Sequence, residues 1–338
     1  MDGYNVAVVG VTGAVGEVMM EILEEREFPV DEVFPLASER SAGSRLQFRG
    51  KSVVVQDLST FDFSQAQIGL FSAGGSVSAE YAPKASAAGC VVIDNTSHFR
   101  RDDDIPLVVP EVNADKVKEY GNRNIIANPN CSTIQMLVAL KPIYDAVGIK
   151  RINVSTYQAV SGAGKSGVEE LANQTARLLN ANPIETRAFS KQIGFNAIPH
   201  IGEFLDNGFT LEEMKMVWET QKIFEDAEIQ VNPTCVRIPV FYGHSEAVHI
   251  ETREKITAKD ATLLLNEFPG IELMDERVDG GYPTAVSDSA GTDGVYVGRI
   301  REDLHLDTGL DLWVVSDNVR KGAALNSIQI AEVLIKHL

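Results

Sequence analysis

The chain has 338 residues, room for two domains, with 44% hydrophobic and 23% charged residues, the balance of a soluble globular protein. Its formal net charge of -18 argues against a nucleic-acid partner, which needs a basic face. No apolar run is long enough for a bilayer, no basic segment opens the chain, and Cys90, Cys131 and Cys235 lie far apart; no membrane partner, no secretory leader, no disulfide framework and no metal site are expected, and a cytoplasmic location is.

Asn5-Val6-Ala7-Val8-Val9 reads as a first strand. Gly10-Val11-Thr12-Gly13-Ala14-Val15-Gly16 follows as a turn and leads into helical spacing from Glu17 to Leu23. Strand, glycine turn and helix form the setting in which a backbone approaches a pyrophosphate at a helix N-terminus. Gly10, Thr12, Gly13, Ala14 and Val15 are therefore candidate cofactor contacts, although the spacing is Gly-x-x-Gly-x-x-Gly rather than the commoner Gly-x-Gly-x-x-Gly. A second strand, 32–37, ends at Ser38-Glu39-Arg40-Ser41. Arg40 between two hydroxyls, Ser38 and Ser41, suits the 2′-phosphate of NADP, whereas Glu39 leaves NAD as the alternative. Strands are read at 68–73 and 90–95, with a helix over 78–88 between them, and Cys90 is read as a core residue. Ser72, Gly74, Asn95 and Arg100 fall at or just past these strand ends, where ligands bind in open α/β sheets.

After a helical segment at 113–120 comes Ile125-Ile126-Ala127, a short strand, and then Asn128-Pro129-Asn130-Cys131-Ser132-Thr133 and a buried helix over 134–140. Cys131 is thus expected at a strand-to-helix turn, where free N–H groups and the helix dipole favour a thiolate, a covalent nucleophile. The competing reading is a buried structural cysteine.

Beyond residue 150 the pattern changes to α+β. An alternating strand at 151–160 precedes Ser161-Gly162-Ala163-Gly164-Lys165-Ser166-Gly167, read as a flexible loop over the cofactor that brings Ser161 and Gly162 to it. Helices are expected over 169–179, 212–224 and 257–267. Segments 236–240 and 245–251 read as antiparallel strands, with Arg237 starting the first and His244 in the turn between them. Such a histidine is commonly a surface residue, though loops also carry function. Segments 295–300 and 310–315 read as a meander, and 318–338 as a final helix on which Asn318 is an N-cap candidate. The fold class expected is α/β: a Rossmann-like doubly wound domain, 1–130, completed by the helix 318–338, and an α+β catalytic and dimerisation domain with a mixed sheet, 131–317.

Five motifs carry a resemblance along the whole chain: Val9-Gly10-Val11-Thr12-Gly13-Ala14-Val15-Gly16, Ile126-Ala127-Asn128-Pro129-Asn130-Cys131-Ser132-Thr133, Thr156-Tyr157-Gln158-Ala159-Val160-Ser161-Gly162-Ala163-Gly164, Arg237-Ile238-Pro239-Val240-Phe241-Tyr242-Gly243-His244-Ser245 and Asp317-Asn318-Val319-Arg320-Lys321-Gly322-Ala323-Ala324. With them the sequence resembles the bacterial aspartate-β-semialdehyde dehydrogenases. The related N-acetyl-glutamyl-phosphate reductases typically carry Asn-Pro-Gly-Cys at the cysteine. The resemblance implies NADP-dependent, phosphate-requiring interconversion of aspartyl 4-phosphate and aspartate 4-semialdehyde, on the route to lysine through diaminopimelate, methionine and threonine. It implies that Cys131 expels phosphate to form a thioester, that hydride from NADPH follows, and that His244 is the acid/base. Gln158 then orients the intermediate with Asn130. It further implies Arg237 for the substrate carboxylate, Glu219 for its ammonium, Arg100 and Lys222 for its phosphate, and Asn318 near the nicotinamide. Without the resemblance Glu219 and Lys222 read as an exposed helix ion pair. The partners implied are a small-molecule substrate, inorganic phosphate and a second copy of the chain, as homodimer or homotetramer, with the middle sheet as the candidate interface. A sister enzyme for N-acetyl-glutamyl phosphate would have no ammonium for Glu219 to bind. A catalytically silent relative would be expected to have lost Cys131 or His244.

Overall fold

The computed structural model describes residues 3–338, and the chain divides into two compact units, Met1–Pro129 with Ala323–Leu338, and Asn130–Gly322. In the first unit the elements run β1 (Tyr4–Val9), α1 (Ala14–Glu25), β2 (Val30–Ala37), a hairpin of β3 (Arg45–Phe48) and β4 (Lys51–Val54), then β5 (Gln56–Asp57), β6 (Ile68–Phe71), α2 (Gly75–Ala87), β7 (Val91–Asp94), α3 (Pro110–Asn113) and β8 (Ile125–Ala127). The sheet order is β5-β2-β1-β6-β7-β8, parallel throughout. Val6 to Val9 have no exposure, as expected of a parallel strand covered on both faces. Cys90 is fully buried, and burial pushes its thiol up to about 12. The expected helix at 113–120 is instead the single turn α3 followed by 3-10 turns over Ala114–Asn122.

The second unit holds α4 (Cys131–Val147), β9 (Ile149–Gln158), α5 (Lys165–Leu179), α6 (Leu211–Phe224), β10 (Gln230–Arg237), β11 (His244–Thr252), α7 (Ala258–Glu267), β12 (Ile271–Leu273), β13 (Val295–Glu302) and β14 (Gly309–Ser316). Its mixed sheet has the order β10-β9-β11-β14-β13-β12. The strands expected at 236–240 and 245–251 are not paired with each other. β9 lies between them, parallel to β10 and antiparallel to β11. Arg237 ends β10 rather than starting a strand, and His244 is the first residue of β11. Residues 161–167 are also more ordered than a flexible loop: a 3-10 turn, Val160–Ala163, runs into α5 at Lys165.

The helix α4 is buried from Ser132 to Leu140 and lies under the sheet with α6 and α7. The opposite sheet face carries half-buried Asn153, Ser155, Tyr157, Ala247, His249, Asp311 and Trp313.

The chain returns to the first unit as α8 (Leu325–Leu334), shorter than the helix expected over 318–338. Leu325, Ile328 and Leu334 are buried in the same core as Met19, Ile22 and Leu23 of α1, each contributing about 2 kcal/mol by burial. Arg26 and Glu332 pair at 2.6 Å across these two helices. Asn318 is not an N-cap. Asp317 takes that part, its Oδ1 accepting from the N–H groups of Val319 and Arg320 before the π-helical turn Arg320–Ala324. Among the described residues no helix is long and apolar enough to cross a membrane.

Candidate active site

In the first unit the candidate cofactor contacts follow strand ends. Gly10 to Gly13 form the turn after β1, and Gly13 is the N-cap of α1. A Cβ on Gly16 would lie 2.3 Å from the Gly10 carbonyl oxygen, so only glycine lets α1 pack this tightly on the turn. Thr12, Ala14 and Val15 lie on the same turn and the start of α1. Ser38, Arg40 and Ser41 follow β2. Arg40 is exposed, and its guanidinium has no partner among the described residues. Ser72 follows β6, with its hydroxyl donating to the Val9 carbonyl, and Gly74 caps α2 at φ 106°. Asn95 follows β7; its Oδ1 accepts from Asn128 Nδ2 at 2.7 Å and its carbonyl from Arg100 Nη2 at 2.9 Å. A glycine turn against a helix N-terminus and an unpaired arginine beyond the next strand fit a dinucleotide.

The second unit gathers the other candidates at one edge of its sheet, and the strand directions explain how. Because β9 and β10 are parallel they end together, with Gln158 beside Arg237. Because β11 is antiparallel to β9 it begins there, with His244 next to Ser245, the partner of Tyr157. β14 ends opposite His244 at Ser316, which puts Asn318 two residues further on. Residues 158, 237, 244 and 318 are widely separated in sequence, yet all four side chains are buried here.

Cys131 is the first residue of α4 and is partly exposed. Asn130 caps the helix, its Oδ1 accepting from the N–H groups of Ser132 at 3.0 Å and Thr133 at 3.4 Å. The remaining N-terminal dipole favours negative charge on the sulfur. A Cβ at position 322 would stand 2.8 Å from the Cys131 Cβ, so Gly322 leaves the space the cysteine occupies. Glu219 is not the exposed residue expected of a helix surface. It is 3% exposed, and its Oε2 accepts the Asn130 backbone N–H at 2.6 Å. Lys222, one turn along α6, is half-buried. Asn318 accepts from the Gly243 N–H at 2.9 Å and bonds the Ser161 hydroxyl, which ties the turn before His244 to the turn after β9. Gly162 lies against Arg237 and His244.

His244 has no exposure. Its Nδ1 accepts the Ala159 N–H at 3.0 Å, and its Nε2 lies 3.4 Å from Gln158 Nε2. Burial, and then the Arg237 charge, bring its pKa down to about 3, with Glu212 opposing. The imidazole is therefore neutral at physiological pH, and with Nδ1 accepting from Ala159 its own proton sits on Nε2. Burial also lowers the Arg237 pKa, opposed by Glu212 and Cys131, and Arg237 Nη1 donates to the Ala159 carbonyl at 2.6 Å. An arginine still stays charged there.

These shifts predict a pH effect. Between pH 4.5 and 6.5 the unfolded chain holds a proton on His244 that the folded chain lacks, so this residue makes stability fall as pH falls. Glu246, fully buried two residues along β11, is raised well above its ordinary pKa by burial and works in the opposite direction. In denaturant unfolding, His244→Asn should gain stability relative to the wild type by about 1.4 kcal/mol per pH unit from pH 6.5 down to 4.5. A constant difference across that range would show that His244 titrates normally in the folded state.

One residue of this cluster escapes a reading of single motifs. Glu212 on α6 is 7% exposed and accepts from both Asn130 Nδ2 and Gln158 Nε2. Its sequence signal is the repeat of Glu-x-x-Lys at Glu212 to Lys215 and Glu219 to Lys222. A spacing of seven returns to nearly the same helix face. Among the described residues no group of three or more His, Cys, Asp or Glu is placed to hold a metal ion.

Comparison with known proteins accords with this layout. Residues 5–120 match the family model described as semialdehyde dehydrogenase, NAD binding domain, and residues 140–321 match semialdehyde dehydrogenase, dimerisation domain. The chain is 65% identical over 333 residues to aspartate-semialdehyde dehydrogenase 2 of Vibrio cholerae, covering 98% of each. It is 52% identical to aspartate-semialdehyde dehydrogenase of Bacillus subtilis, covering 99% of this chain and 98% of that one. The crystal structure of aspartate semialdehyde dehydrogenase II from Vibrio cholerae, complexed with ASA, superposes with a TM-score of 0.98 at 64% identity, covering 99% of both chains. The structure of the Candida albicans enzyme with NADP superposes at 0.76 and 28% identity, covering 98% of both. The nucleotide-binding turn, the cysteine at the head of its helix and these relatives together place the chain in the aspartate-semialdehyde dehydrogenase family of nicotinamide-dependent oxidoreductases.

Proposed function

We propose that the protein interconverts aspartyl 4-phosphate and aspartate 4-semialdehyde with NADP and phosphate, through a thioester on Cys131. The observation that carries this reading is the buried group of His244, Gln158 and Arg237 in the same unit as Cys131, which itself heads a helix and is partly exposed.

In the biosynthetic direction the Cys131 thiolate attacks the acyl carbon, the C–O bond to phosphate breaks, and phosphate leaves. The N-terminal dipole of α4 favours the charge of the tetrahedral oxyanion. Bound NADPH supplies the hydride that reduces the acyl group. His244 then manages the hydroxyl proton as the carbon–sulfur bond breaks and the aldehyde leaves. The fork of Arg237 suits the substrate carboxylate, Glu219 its ammonium, and Lys222 and Arg100 its phosphate. Gly10, Thr12, Gly13, Ala14 and Val15 would hold the pyrophosphate and Arg40 the 2′-phosphate. The roles of Ser38, Ser41, Ser72, Gly74, Asn95, Ser161, Gly162 and Asn318 as further cofactor contacts belong to the same proposal. The half-buried sheet face around Tyr157, His249 and Trp313 is the surface proposed to pair two copies of the chain.

A spectrophotometric assay tests the reading. Aspartate semialdehyde with phosphate and NADP⁺ should produce NADPH absorbance and N-acetyl-glutamate semialdehyde should not; no signal with the first substrate refutes it. Arg40→Ala should raise KM for NADP⁺ by about 10- to 100-fold and leave KM for NAD⁺ unchanged, since only NADP⁺ carries the 2′-phosphate. Equal changes for both cofactors would remove Arg40 from this role.

A further inference from the structure

We propose that Asn326, Asn128 and Asn95 form a directed chain of amides in the first unit. Buried Asn326 and Asn128 are positioning residues that make Asn95 present an N–H donor to an acceptor oxygen on the nicotinamide half of the bound dinucleotide. This rests on the reading of the strand ends of that unit as a cofactor site with Arg40 at the 2′-phosphate, and it names two residues outside that reading.

The sheet order locates Asn95. The strands are parallel, so the turns after β2, β1, β6 and β7 lie along one edge, carrying Arg40, Gly10, Ser72 and Asn95 in that order. The chain leaves β1 for β2 on one side and resumes as β6 on the other, and a dinucleotide lies across such a reversal. With the 2′-phosphate end at Arg40, the nicotinamide nucleoside falls toward the end of β7.

A side-chain amide donates at one end and accepts at the other, and its partners decide which end faces where. Asn326, fully buried at the start of α8, donates from Nδ2 to the Val108 carbonyl at 3.0 Å and to Asn128 Oδ1 at 2.6 Å. A carbonyl only accepts, so Val108 fixes the direction of Asn326. Asn128, also fully buried, then turns its NH₂ the other way. It donates to Asn95 Oδ1 at 2.7 Å and to the Pro129 carbonyl at 3.4 Å, a second group that only accepts. Turning either buried amide over would set oxygen against oxygen. Asn95 ends the chain. Its backbone N–H donates to the Phe71 carbonyl at 2.9 Å, and its own carbonyl accepts from Arg100 Nη2 at 2.9 Å. Because Oδ1 is engaged by Asn128, the NH₂ is the end left outward. Asn95 is half-buried, and its Nδ2 has no hydrogen-bond partner among the described residues. A donor held in this way suits a ribose hydroxyl or a carboxamide oxygen, with its orientation set before binding.

Asn326→Asp tests this. At about pH 8 the substituted carboxylate only accepts, so Asn128 must turn its NH₂ toward it and its Oδ1 toward Asn95. Asn95 then turns its own NH₂ inward and presents an oxygen to the cofactor. Binding is read by NADPH fluorescence and by competition with 2′,5′-ADP, which carries the adenosine half alone. Expected are a Kd for NADPH higher by about 10-fold and a Kd for 2′,5′-ADP within about 2-fold of wild type. In an Asn95→Ala background the same change should weaken NADPH by less than about 2-fold more, because its route of action is already gone. An NADPH Kd within about 2-fold of wild type, an equal loss of both ligands, or losses that multiply in the double variant overturns the proposal. If Asn326→Asp does not fold, Asn326→Ala decides. It frees both remaining amides to turn over and should weaken NADPH by at least about 3-fold with 2′,5′-ADP unchanged, and a wild-type Kd for NADPH overturns the proposal. Wild-type protein that binds neither ligand would instead refute the cofactor reading. Wild type that binds both, beside an Asn326→Asp that binds both equally well, would refute only the amide chain.

Discussion

Cys131→Ala should abolish turnover, with kcat reduced by roughly 10⁴-fold or more, because no other group in the cluster can carry the acyl chain. The loss should be chemical, not structural. The substitution keeps the Cβ that packs beside Gly322 and removes only a sulfur at a partly exposed position, so stability should change by less than about 1 kcal/mol. NADP binding, followed by nucleotide fluorescence, should persist. In the unmodified protein iodoacetamide should label Cys131 ahead of Cys90 and Cys235, both fully buried and both raised in pKa by burial. Turnover near the wild-type rate in Cys131→Ala would eliminate a thioester there.

Arg237→Lys should be the second severe change. Lysine keeps the positive charge, but it loses the planar fork that matches a carboxylate, so the swap is not conservative at such a site. A fall of about 100-fold in kcat/KM is expected, about 2.7 kcal/mol of transition-state binding, expressed chiefly in KM for aspartate semialdehyde. KM for NADP⁺ should not move. Arg237 also donates to the Ala159 carbonyl at 2.6 Å, so some loss of stability is expected alongside. A variant whose KM for the aldehyde is unchanged would place the substrate carboxylate elsewhere.

The local parts of this fold are legible in the sequence. Val6 to Val9 followed by a glycine turn, and Ile125 to Ala127 followed by Asn130 and Cys131, announce strand-to-helix turns because apolar runs and turn residues are short-range signals. What is not legible depends on pairing across distance. Nothing within 230–252 reveals that β9 inserts between β10 and β11, and so Arg237 is misplaced at the start of a strand when it ends one. That insertion is what brings Gln158, Arg237 and His244 to adjacent positions. Asn318 and Asp317 are neighbouring capping candidates, and only the backbone path decides that Asp317 caps while Asn318 turns inward to Ser161 and Gly243. Glu212 is obscured for a related reason: an acidic residue in the first turn of a helix is ordinarily dipole chemistry, and its burial against Asn130 and Gln158 is tertiary.

The same contacts explain why this edge of the second unit is rigid. His244 is held by the Ala159 N–H, Arg237 by the Ala159 carbonyl, and the Gly243 N–H by Asn318. One backbone residue thus holds both the imidazole and the guanidinium, so a shift at residue 159 would displace the two side chains together.

The acyl group is proposed to reside on Cys131, and intact-protein mass spectrometry reads that directly. Protein mixed with aspartyl 4-phosphate without NADPH, then quenched in acid, should gain the mass of one aspartyl group, located on Cys131 after digestion and absent from Cys131→Ala. A wild-type protein that turns over the substrate yet shows no adduct, or shows it equally in Cys131→Ala, would contradict the account.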